Sequence, residues 1–162
     1  MATALAYTAR YSHPVAAVRE AFCTEQYWKD RIAAVGGPNA QFVSLSVEGE
    51  QVRVEVVQSI PADLLPPAIT AVRPGDLIIP RTEVWTGTTG SFEARVEGAP
   101  AEVRGSITAT EEPTGAVAEI SGTIEVKIPL FARKIEEAIG DRLTQLLAEE
   151  TEFTNTWIAG QP

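Results

Sequence analysis

The spacing of apolar and polar residues changes several times along the chain, and each change marks an element. Within residues 1–11, Leu5, Tyr7, Ala9 and Tyr11 share one side of an extended segment while Thr8 and Arg10 take the other, which predicts a first strand. Ser12-His13-Pro14 stops it. Pro14 suits the first turn of a helix, where the N–H it lacks would have no partner in any case. Val15, Val18 and Phe22 then recur at helical spacing. Thr24 is a candidate cap for a second helix whose apolar stripe is Tyr27, Trp28, Ile32 and Val35, and Gly36-Gly37-Pro38 ends it. Residues 14–35 are therefore expected to form a helical hairpin.

Between residues 41 and 127 the period is two. Val43, Leu45 and Val47 alternate with serines and Glu48, Glu48-Gly49-Glu50 turns the chain, and Val52, Val54 and Val56 alternate with Arg53 and Glu55. Pro61 and Pro66-Pro67 break the pattern, so residues 61–76 read as a long loop with a helical turn near Leu64 to Ala71. Four more strands are expected at 77–86, 90–98, 102–111 and 115–127, joined by turns rich in glycine and proline. The last is the clearest: Ala118, Ile120, Gly122, Ile124 and Val126 face one way and Glu119, Ser121, Thr123, Glu125 and Lys127 the other. One face of this sheet is buried and the other is wet.

From Pro129 to about Ile158 the period returns to that of a helix. Phe131, Ile135, Ala138/Ile139, Leu143, Leu146/Leu147, Phe153 and Trp157 form one stripe, and Lys134, Glu137, Asp141, Glu149 and Glu152 lie opposite. Such a helix is roughly 40 Å long at 1.5 Å per residue, enough to cross a sheet. Gly140 in its interior predicts a bend or a close contact. The expected architecture is α+β, a single domain over residues 1–162 in the order strand, two helices, six antiparallel strands, helix. A seven-stranded curved sheet with one wet face must cover the other, and the last helix alone has the length to do so. The space left between them is a natural pocket.

The formal net charge of −9 and the scatter of the basic residues argue against nucleic acid, whose binding relies on Lys and Arg displacing counterions. No window is apolar enough for a membrane span, and no membrane insertion is expected. The opening MATALAYTARYSH lacks the pattern of a secretory signal, so the expected location is cytoplasmic. The lone Cys23 and the lone His13 make no zinc site and no nucleophile–base pair. No catalytic residue, metal or cofactor is implied.

Thr82-Glu83-Val84-Trp85, Gly105, the stretch from Gly122 through Ile128-Pro129-Leu130, and Lys134-Ile135-Glu136 resemble the actinobacterial family DUF2505. The order of elements is similar to the helix-grip, START-like superfamily of birch-pollen-type allergens, polyketide cyclases and lipid-transfer domains. The resemblance implies a hydrophobic cavity between sheet and last helix, and brings no catalytic residues with it.

The residues expected to line that cavity are Trp28 at its mouth, Val54 and Val56 of the third strand, and Trp85 of the fourth. Phe92, Ala94, Gly105 and Ile107 follow from the fifth and sixth, Ile120 and Gly122 from the seventh, and Ile139, Leu143, Leu146 and Leu147 from the helix. The small residues among them either leave room for a ligand or let the helix pack closely. Arg81 and Glu83 share a strand face with Trp85 and are polar anchors if that face turns inward. If it faces water they form a surface pair worth under about 1 kcal/mol. Leu77/Ile79 and Ile78/Val84 make both faces partly apolar; the outward orientation is preferred. The expected function is binding, carriage or sensing of a small hydrophobic molecule. A cyclase- or dehydratase-like enzyme using Glu83, Arg81, Tyr7 or Tyr11 is the alternative, and a fully packed interaction module is a third.

Overall fold

Antiparallel pairing links all strands of a seven-stranded sheet in the computed structural model, which describes residues 2–161. Met1 and Pro162 of the expected 1–162 span lie outside the described residues. The strands are β1 (Thr3–Tyr11), β2 (Gln41–Glu48), β3 (Gln51–Ile60), β4 (Leu77–Thr86), β5 (Thr89–Arg95), β6 (Ala101–Glu112) and β7 (Gly115–Val126). Their spatial order is β1-β7-β6-β5-β4-β3-β2, so β2 to β7 form a meander and β1 returns to pair with β7. Strands β1 and β2 are neighbours in sequence and opposite edges in space. The helices α1 (Val15–Phe22) and α2 (Glu25–Val35) make the crossing between them.

The turn out of α2 depends on glycine. Gly37 has φ of 92°, a conformation that residues with a Cβ rarely adopt. A Cβ there would also collide with the Ser59 carbonyl, and Ser59 donates its N–H to Gly36 O at 2.7 Å. Backbone of the α2–β2 turn thus packs directly on β3. Thr24 occupies the cap position of α2, but its hydroxyl donates back to Glu20 O at 2.8 Å and makes no cap bond. The α1 helix claims the hydroxyl first, because Thr24 follows it by two residues.

The loop 61–76 holds a 3₁₀ turn at Ala62–Leu64 and a short helix, α3 (Pro67–Val72). Leu65 and Ile69 from this segment bury against Ile60, Leu77, Ile79, Val126 and Ile135, forming a second core beside the main one.

Helix α4 (Ala132–Ala159) crosses the concave face of the sheet and packs on β1, β7, α1, α2 and α3. Its start differs from the sequence expectation. Leu130 and Phe131 take left-handed backbone angles, φ 59° and 62°, and are 79% and 72% exposed, so Phe131 leaves the apolar stripe. The strand β7 ends two residues before Ile128-Pro129, and the reversal into the helix is forced into these two positions. At Gly140 the expected close contact is present: a Cβ would meet Ile124 Cδ1 at 3.2 Å, and Ile124 is fully buried. The arrangement is the α+β helix grip that the order of elements implied.

Candidate functional site

Period two places Val52, Val54, Val56 and Gln58 of β3 on the concave face, and Ile79, Arg81, Glu83 and Trp85 of β4 beside them. Arg81 and Glu83 therefore point inward, which corrects the preferred outward orientation. Their side chains are 12% and 4% exposed. Glu150 of α4 comes down onto them. Arg81 Nη1 lies 2.9 Å from Glu150 Oε2, and Arg81 Nη2 lies 3.0 Å from Glu83 Oε1. From the other side Arg31 of α2 reaches Glu150 Oε1 at 2.5 Å. Gln58 donates to Glu150 at 2.8 Å, and the Trp85 indole donates to Glu83 at 2.9 Å. Tyr27 and Thr154 share a 2.6 Å hydrogen bond, and Arg31 donates to the Tyr27 hydroxyl at 3.3 Å while lying over the Trp28 ring.

Two arginines and two glutamates thus meet inside the molecule, joining α2, β4 and α4. Unpaired, each would be expensive to bury; paired and hydrogen-bonded, they hold one another charged. Burial pushes the Glu150 carboxyl upward, but Arg31 and Arg81, helped by Gln58, outweigh it and keep its pKa below the ordinary glutamate value. Burial likewise disfavours charge on Arg81, and Glu150 and Glu83 overcome it. Burial raises the pKa of Tyr11, with Tyr27 adding to it, so the phenol stays protonated.

The space between sheet and helix is divided. Four small cavities follow one another between the sheet and the helices that cover it, of about 20, 30, 50 and 40 Å³, the first under α1 and the others bordered by α4. The 50 Å³ cavity brings together Phe92, Ala94, Ile107 and Ile120 from the sheet with Leu143, Leu146 and Leu147 from α4, and Arg81 borders it. The 30 Å³ cavity lies beside the charges, walled by Tyr11, Glu83, Trp85 and Glu150 among others. Trp85 also borders the 20 Å³ cavity under α1, and Ile139 borders the 40 Å³ cavity under α3.

Other expected residues sit elsewhere. Trp28 is 2% exposed, lines none of these cavities, and donates its indole N–H to Phe22 O at 2.8 Å, so it is core and not a mouth. Val54 is wholly core, and Val56 is buried at the edge of a larger open groove on the outer side of the sheet. Gly105 and Gly122 pair across β6 and β7 and make no room for a ligand. The space above Gly105 is filled by the Phe92 ring, whose Cζ would stand 2.7 Å from an added Cβ.

Sequence reasoning missed Arg31 and Gln58 and saw in Glu150 only one of several carboxylates on the last helix, although each lies in phase with an apolar stripe. Gln58 continues Val52-Val54-Val56, Arg31 follows Tyr27 and Trp28 by four and three, and Glu150 stands four after Leu146. A polar or charged residue on the buried stripe was the available signal. Among the described residues no group of His, Cys, Asp and Glu is placed to hold a metal ion, and no helix is long and apolar enough to cross a membrane.

The family described as a protein of unknown function (DUF2505) matches residues 6–158. The chain belongs to that family. An uncharacterized protein of Mycobacterium tuberculosis, Rv0481c, is 31% identical over 93% of this chain and 94% of its own length. Solved structures share the fold. TTHA0849 from Thermus thermophilus has a TM-score of 0.59 at 14% identity, covering 98% of this chain and 100% of that one. The Zhui aromatase/cyclase from a Streptomyces species gives 0.56 at 10% identity over 94% of each chain. Ara h 8.0201 gives 0.59 at 8% identity over 99% and 100%. At these identities the likeness is one of fold.

Proposed function

We propose that this DUF2505 protein binds a small hydrophobic molecule between the sheet and α4, for carriage or sensing. The observation that carries the reading is the row of apolar cavities interrupted by one charge-balanced polar cluster. An apolar wall with a few placed polar groups is the usual composition of a small-molecule site. Neighbouring cavities share walls: Ile107, Ile120 and Leu147 stand between the two central ones. Rotation of such side chains would join them. Glu83, the acid or base of a cyclase-like reading, has both oxygens engaged by Arg81 and Trp85. That favours binding over proton transfer.

The cavity volumes favour a second reading. A drug-sized ligand needs roughly 300 Å³ or more, and each cavity here holds a few waters at most. A packed interaction module would look like this too. Native mass spectrometry of gently purified protein separates them. A co-purifying apolar molecule, released by organic extraction and raising Tm when returned, is the expected result. A bare chain whose Tm does not respond to the extract of its host cells leaves the packed module.

A further inference from the structure

Among the described residues, Tyr11 stands out in the 30 Å³ cavity because its hydroxyl has no hydrogen-bond partner in the protein. Tyr27, its neighbour, is bonded to Thr154 and Arg31. The guanidinium of Arg81 is shared among Gln58, Glu150 and Glu83, and that of Arg31 between Glu150 and Tyr27. Every charged group on this cavity therefore already has its counter-charge, two positive against two negative. An added carboxylate or ammonium would leave one charge uncompensated in a site screened from water. The phenol is different: it has a proton to donate, and burial keeps that proton on. Besides the charged cluster and two threonines, the wall is apolar, with Phe22, Trp85, Ile107, Ile120 and Leu147.

We infer that this cavity takes the polar end of an uncharged ligand, an apolar molecule bearing one hydrogen-bond-accepting oxygen such as a ketone, ester or ether, which accepts from the Tyr11 hydroxyl. The inference rests on the binding reading above and narrows it. Charge balance excludes fatty acids and amines as tight ligands, and the unbonded phenol selects an acceptor over a pure hydrocarbon. Tyr11 acts as a specificity-determining donor, with Arg31, Arg81, Glu83 and Glu150 serving as its fixed, neutral surroundings.

Three probes of nearly equal shape test it: cumene, acetophenone and benzoate, titrated at pH 7 and followed by the amide and indole N–H signals in two-dimensional NMR. The indole of Trp85, on the same cavity wall, reports occupancy. In the wild type acetophenone should bind about fivefold tighter than cumene, the range of one net hydrogen bond, and benzoate should bind weakest. In Tyr11→Phe acetophenone should lose that about fivefold advantage while cumene binds as before, and an unchanged spectrum elsewhere shows that the variant folds. Benzoate binding tightest, acetophenone no better than cumene, or no effect of Tyr11→Phe would each overturn the inference and leave the binding reading standing. Failure of all three probes to shift any wild-type signal would overturn the binding reading itself, and this inference with it.

Discussion

Glu150 Oε2 stands 2.9 Å from Arg81 Nη1, an ion pair that fastens the last helix to the middle of the sheet with Glu150 buried and the Arg81 side chain 12% exposed. The same carboxylate takes Arg31 from α2, so one side chain connects three elements. Removing Glu150 leaves Arg31 buried without a carboxylate partner, and Arg81 with Glu83 alone.

Glu150→Gln should therefore destabilise the fold by about 3–5 kcal/mol, the range for breaking a buried pair from one side. Chemical denaturation of the two proteins at pH 7 measures it. A loss under about 1 kcal/mol would mean that water or side-chain motion already screens the cluster.

The pH dependence has a definite sign. Arg31 and Arg81 hold the folded-state pKa of Glu150 below its ordinary 4.5 despite burial. A depressed carboxylate stabilises above its unfolded pKa and loses that contribution as pH falls through its folded value. The groups facing it are Arg31, Arg81, Gln58, Glu83 and the phenols of Tyr11 and Tyr27; the arginines stay charged and the phenols protonated throughout acidification. Wild-type Tm should thus fall on acidification below pH 4.5, and Glu150→Gln should flatten part of that fall. Identical slopes in the two proteins would contradict the assignment.

Leu147 separates the two central cavities. Leu147→Ala should join them, lowering stability by about 2–3 kcal/mol as large-to-small core changes do. The same change should tighten binding of acetophenone. Stability lost without tighter binding would point to collapse of the space and to the packed module.

Gly105 and Gly122 are close-approach glycines. A methyl group at Gly105 would run into Ser121 O and the Phe92 ring, and one at Gly122 into Arg104 O. Either Gly→Ala change should cost about 1–3 kcal/mol by overpacking. Calorimetry would show a Tm lower by roughly 2–4 °C for each kcal/mol. An unchanged Tm would mean that the space belongs to a ligand after all.

Phe131 is 72% exposed with φ of 62°. Left-handed angles cost a residue with a Cβ roughly 1–2 kcal/mol, and glycine avoids this at some entropic cost in the unfolded chain. Phe131→Gly should raise stability by up to about 1 kcal/mol, read from the denaturation midpoint. A clear loss would show that the ring's contacts within the fold outweigh the backbone strain.

Much of the molecule was legible from periodicity, because burial of a repeating face is what selects a strand or a helix. The alternation in 115–127 specified β7 and its inward residues, and the stripe from Ile135 to Trp157 specified the side of α4 that meets the sheet. Local order also fixed the class of fold, since a one-sided sheet and one long amphipathic helix have few ways to cover each other. The sequence left the phase of β4 undecided, because both its faces carry apolar residues; only the neighbours decide which is inside. Tertiary structure turned Arg81 and Glu83 inward, where Glu150 and Arg31 neutralise them, and no single segment contains that information. It also divided the expected pocket. The volume of the 50 Å³ cavity depends on how side chains from six strands and a helix interlock to within an atom's width. Phe92 over Gly105 and Leu147 between two voids are outcomes of that interlocking, and no pattern along the chain encodes them.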